Sequence, residues 1–69
     1  MTFTFKSIKN DNYSVSINQD KYSTCYRVEL NKLYDECLAR TEKAYTYNTI
    51  QKANRRYNQL VKEYIYGLT

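Results

Sequence analysis

Four cations recur at helical spacing near the end of the chain: Lys52, Arg55, Arg56 and Lys62. Steps of three and four residues stack side chains on one face of an α-helix, so these groups are expected to project together, with Tyr66 further along the same side. Guanidinium groups hold carboxylates and phosphates through charge-assisted, often paired hydrogen bonds, and that is the chemistry such a face offers. No Asp or Glu occurs from residue 51 to residue 62, so only Glu63 is placed to compete for it. The competing reading is a solvated face whose charges serve solubility.

Other chemistries lack their parts. Histidine is absent and the single glycine stands at position 67, so neither a glycine-rich phosphate loop nor a nucleophile elbow is present. Asp35, Glu36 and Glu42 are close in sequence, yet their spacing does not require them to converge, and no catalytic residue is assigned. Cys25 and Cys37 supply two of the four or so ligands that zinc needs, so they are read as reduced, buried thiols and no metal or cofactor is expected. Tyr13, Tyr22, Tyr26, Tyr34, Tyr45 and Tyr47 offer the ring faces on which nucleic-acid bases stack in single-strand binders. No fixed aromatic-and-basic spacing accompanies them, and we read them as core and interface residues.

The elements that would carry these side chains follow from periodicity. Phe3 and Phe5 share a face of a strand over Thr2 to Ile8, and Tyr13, Val15 and Ile17 alternate with serines in a second strand. Between them Lys9-Asn10-Asp11-Asn12 supplies side chains that tolerate left-handed turn conformations, which predicts a hairpin. After a turn at Asn18-Gln19-Asp20, a third strand runs from Tyr22 to Leu30 with Tyr22, Thr24, Tyr26, Val28 and Leu30 on its apolar face. Residues 33–47 fit both periods, since Tyr34, Leu38 and Tyr45 suit a helix while Cys37, Ala39 and Thr41 alternate; we read a fourth strand there, with the sheet over about 2–42.

The helix is expected over about 49–66, with Asn48 as N-cap, Gln51 completing a capping box and Gly67 ending it. Its apolar stripe is Ile50, Ala53, Tyr57, Leu60, Val61 and Tyr64, opposite Lys52, Arg55, Arg56, Gln59, Lys62 and Tyr66. The expected core is Val15, Ile17, Val28, Ala53, Tyr57, Leu60 and Val61. The fold class is therefore α+β, an antiparallel sheet of three to four strands followed by one C-terminal amphipathic helix.

The 69 residues suffice for one domain, 1–69, with a thin core, which makes self-association as a homodimer an expectation. Eleven Lys/Arg against seven Asp/Glu leave a net charge of +4. Residues 31–69 hold seven of the basic groups, so the excess that favours acidic partners is concentrated in the C-terminal half. No basic leader followed by an apolar run, and no stretch of about eighteen apolar residues, occurs, so a cytoplasmic protein without membrane contact is expected.

In general character, a compact Asn-, Lys- and Tyr-rich chain without a catalytic signature, the sequence resembles the very small proteins of phages and other mobile elements, which include anti-CRISPR and other anti-defence inhibitors. That resemblance implies a protein acting by occupying a surface of a larger host machine, such as a defence nuclease complex, and it assigns no residue. The expected function is a non-catalytic inhibitor or adaptor whose Lys52, Arg55, Arg56, Lys62 and Tyr66 bind an acidic or nucleic-acid-binding protein surface. The alternatives are a small nucleic-acid-binding domain, to which the four-strand-plus-helix order of the PC4-like proteins is similar, and an oligomerisation module.

Overall fold

The computed structural model describes residues 2–35 and 38–67. Four antiparallel strands, β1 (Thr2–Lys9), β2 (Tyr13–Asp20), β3 (Tyr26–Leu33) and β4 (Ala39–Tyr47), lie side by side in chain order, and a helix crosses one face. The helix is α1 (Ile50–Leu60), continued by a π turn over Val61–Ile65. α1 packs over β2, β3 and β4, while the π turn reaches β2 and β1. The fold class is the α+β architecture expected from the sequence.

Register explains the core. Val15 stands opposite Leu30 and Ile17 opposite Val28, so four branched side chains meet on one face of the two central strands. Ala53, Tyr57, Leu60 and Val61 close over them, and all eight are buried. The seven expected core residues are all among them, and Leu30 joins. The opposite face of the sheet carries short polar side chains that bond one another: Thr4 Oγ1 donates to Asn18, Asn18 to Ser16, and Thr41 to Asn31. With one face uncovered, the accessible surface is 5179 Å², more than the roughly 4,600 Å² usual for 8.3 kDa.

Several boundaries differ from the sequence expectation. β2 does not turn at Asn18-Gln19-Asp20 but runs through Asp20, because Thr2, Phe3 and Thr4 of β1 pair with Asp20, Gln19 and Asn18. The turn moves to residues 21–25, closed by Ser23 N–H on Asp20 O, and β3 begins at Tyr26 instead of Tyr22. β4 carries the sheet to Tyr47, beyond the expected end near residue 42. The first hairpin uses no left-handed residue; Gly67, at φ 66°, is the only described residue with positive φ. There the Asn10 side chain does the work, its Oδ1 accepting the N–H groups of Asn12 and Tyr13 at 2.8 and 2.7 Å.

The helix cap also moves by one residue. Thr49 has extended backbone, φ −132° and ψ 148°, and its Oγ1 accepts the Lys52 N–H, so Thr49 rather than Asn48 is the N-cap and Gln51 no longer completes a box. At the far end Tyr66 N–H closes on Val61 O across five residues, and the wider turn leaves both Tyr64 and Ile65 half-buried against the core. Asn10 Nδ2 donates to the carbonyls of both, 3.1 Å each, and so ties the first hairpin to the end of the helix.

Candidate functional site

The cap and the core contacts fix the helix's rotation, and with it the face turned outward. Lys52, Arg55, Gln59 and Lys62 are exposed on that face, and Tyr66, past the π turn, is exposed as well. Lys52, Arg55, Arg56 and Gln59 line a shallow groove of about 270 Å³ with Tyr47 at the end of β4. Lys62 and Tyr66 lie further along the helix and do not line it. The structure therefore brings three of the five expected binding residues into one site and adds Gln59 and Tyr47 to them.

Arg56 is a different kind of residue from its neighbours. Its Nε donates to Tyr47 Oη at 2.9 Å, its Nη1 to Gln59 Oε1 at 3.1 Å, and its guanidinium lies 4.4 Å from the centre of the Tyr45 ring. The Tyr47 hydrogen bond foremost, against a smaller desolvation cost, holds the guanidinium above its ordinary value. Expected to stand clear of the packed side, Arg56 is half-buried and is a bracket between helix and sheet. At 100° per residue Arg56 falls 40° from Leu60, on the flank where β4 presents Tyr45 and Tyr47.

Lys52 and Arg55 stay uncommitted. Among the described residues no carboxylate comes within ion-pair distance of the helix cations; the ion pairs centre instead on Arg27, which meets Glu29 at 3.3 Å and Asp20 at 3.8 Å on the open face of the sheet. A fixed guanidinium beside two free cations, a side-chain amide and a phenol suits a carboxylate-bearing surface, because Arg56 spends no further entropy on binding while Lys52 and Arg55 supply the new ion pairs.

The tyrosines do not form a stacking platform on the open face of the sheet. Tyr13, Tyr26, Tyr45 and Tyr47 are half-buried against the core on the helix side, whereas Tyr22, 89% exposed, and Tyr34 stand in loops. The open face offers a polar hollow of about 100 Å³ lined by Asn18, Asp20, Ser23, Cys25, Arg27, Glu29 and Thr46. Cys25 is a half-buried free thiol rather than a fully buried one, and Cys37 and Glu36 lie outside the described residues. Asp35 Oδ1 accepts the Leu38 N–H in its loop, and Glu42 is exposed on β4. Among the described residues no group of three or more potential metal ligands occurs, and no helix is long and apolar enough to cross a membrane.

Sequence reasoning missed Tyr47 and Tyr45 as partners of the basic face. The available signal was their period-two spacing just before the helix, which places both on the strand face that the helix must cover. No family model, curated protein or solved structure matches this chain.

Proposed function

We propose that this chain is a non-catalytic binding protein that docks the basic groove of its helix on an acidic surface of a partner protein, inhibiting or recruiting it. The observation that carries the reading is the groove itself: Lys52 and Arg55, without carboxylate partners among the described residues, beside Arg56, which Tyr45, Tyr47 and Gln59 hold in place. Such an arrangement suits carboxylates, because the planar guanidinium of Arg55 can take two oxygens at once while Lys52 adds a second charge. A single-strand binder would instead present several free ring faces beside its cations, and here Arg56 lies over the Tyr45 ring and bonds the Tyr47 hydroxyl, both tyrosines being half-buried against the core.

The test is fluorescence anisotropy with a labelled oligoglutamate peptide and a labelled oligodeoxynucleotide of matched charge, both at low salt. The oligoglutamate is expected to bind, to weaken as salt rises, and to lose affinity with the pair Lys52→Glu and Arg55→Glu while the circular dichroism spectrum is unchanged. Undiminished binding by that double variant overturns the assignment of the groove. Tighter binding of the oligodeoxynucleotide transfers it to the nucleic-acid reading.

A further inference from the structure

We infer that the outer edge of β1 is a second docking site, one that accepts an extended acidic segment of a partner as a fifth strand of the sheet. β1 ends the strand order, so alternate backbone groups along its outer side have no strand partner among the described residues. The helix leaves this edge open, since α1 packs over β2, β3 and β4 and only the π turn reaches β1. Strand addition takes its affinity from such main-chain groups and its selectivity from alternate side chains beside them.

Those side chains have a definite character. A bulge inserts Phe5 between Thr4 and Lys6, which pair with Asn18 and Ile17. Phe5 and Lys6 consequently both turn to the helix side: the Phe5 ring lies 5.5 Å from that of Tyr26, and Lys6 Nζ lies 5.7 Å from the centre of the Tyr57 ring. Phe3 packs edge-on against Phe5 at 4.8 Å, and the two rings remain 61% and 43% exposed. An apolar step thus stands next to a cation, and β1 adds Lys9 but no Asp or Glu. The other edge differs, because β4 carries Arg40, Glu42 and Lys43 and so presents both signs of charge.

Charge complementarity selects the occupant. Antiparallel pairing of β1 with a second copy would crowd four lysines along one seam between two molecules of net charge +4, with no acid in either strand to offset them. An extended segment that alternates a branched apolar residue with an acidic one meets both features, because side chains two apart share a face and lie about 7 Å from each other. The apolar side chain rests on Phe3 and Phe5, and the carboxylate faces Lys6.

The experiment is a titration of the whole ¹⁵N-labelled chain with the capped octapeptide acetyl-TVTDTVTD-amide, read by amide chemical shifts and hydrogen exchange. Shifts confined to β1 and its neighbours on β2, with slowed exchange at alternate β1 amides, are expected. Affinity is expected to fall by about tenfold or more for Lys6→Glu and for the lysine counterpart acetyl-TVTKTVTK-amide. Phe3→Thr, at an exposed position, should weaken binding without unfolding the chain. Absence of β1 shifts at about millimolar peptide overturns the inference. Equal binding of the lysine peptide does so too. So does sedimentation equilibrium that returns a dimer which Phe5→Lys dissociates, for then a second copy holds the edge. Lys52→Glu with Arg55→Glu leaves this titration unchanged, which separates its outcome from that of the basic groove.

Discussion

Asn10→Ala tests the staple that sets where the helix lies on the sheet. One side chain makes four hydrogen bonds: Nδ2 to the carbonyls of Tyr64 and Ile65, and Oδ1 from the N–H groups of Asn12 and Tyr13. A typical intramolecular bond contributes about 0.5–1.5 kcal/mol net, and the exposed one from Asn12 belongs at the low end because water replaces it. Their sum is about 2–5 kcal/mol, set against the roughly 3.5–10 kcal/mol usual for a chain of this length. The thermal midpoint should fall by about 10 °C or more.

Urea melts followed by circular dichroism measure the effect, with the midpoint moving and the slope constant. Asn10→Asp separates the halves of the staple, since a carboxylate still accepts the two turn N–H groups but donates nothing to Tyr64 and Ile65 and sets a negative charge beside carbonyls at the helix end. It should cost at least as much as a variant that loses only the long-range pair. A loss below about 0.5 kcal/mol for Asn10→Ala, the range of ordinary surface substitutions, would refute the reasoning.

The remaining predictions concern the core, the groove and alkaline pH. Leu60 is 2% exposed beneath the helix, and Leu60→Ala is expected to cost about 2–5 kcal/mol in the same melts. Arg55→Glu should change stability by no more than about 0.5 kcal/mol, whereas Arg56→Glu, which breaks the contacts to Tyr45, Tyr47 and Gln59, should lower the thermal midpoint clearly. Burial pushes the Tyr57 phenol above its ordinary value. The unfolded chain therefore ionises first as pH rises, so stability present below about pH 10 is lost as pH climbs through the raised value. Tyr57→Phe should flatten that part of the urea midpoint's decline that sets in above about pH 10.

What the sequence made legible was whatever depends on neighbours along the chain. Alternation at Tyr13, Val15 and Ile17 and the stripe from Ala53 to Val61 each identify a face without reference to any other element. Strand ends were not legible in this way. Asp20 belongs to β2 because β1 pairs as far as Thr2, and nothing between Asn18 and Tyr22 encodes that pairing. Asn48 and Thr49 are both competent caps, and the extended backbone that β4 hands to Thr49 decides between them. The site was half legible for the same reason: spacing gathers Lys52, Arg55 and Arg56, but only the position of β4 separates the arginine that binds the sheet from the one that does not.

That separation changes what the net charge means. Five basic side chains lie over tyrosine rings: Lys6 on Tyr57, Lys21 on Tyr22, Lys32 on Tyr34, Lys43 on Tyr64 and Arg56 on Tyr45. A core this small cannot hide its tyrosines whole, so several phenols are buried by their bodies and left open at one face, where a cation meets the negative side of the ring. Lys43 lies over the Tyr64 ring, and the neighbouring phenols, Tyr64 foremost and Tyr45 after it, hold its ammonium above the ordinary value. Such contacts fix where part of the positive charge sits, so overall basicity is a poor measure of what a partner would meet. Lys52 and Arg55 are the charges of the groove that touch neither ring nor carboxylate among the described residues, and they are therefore the part of the basicity on which the proposed docking to acidic groups rests.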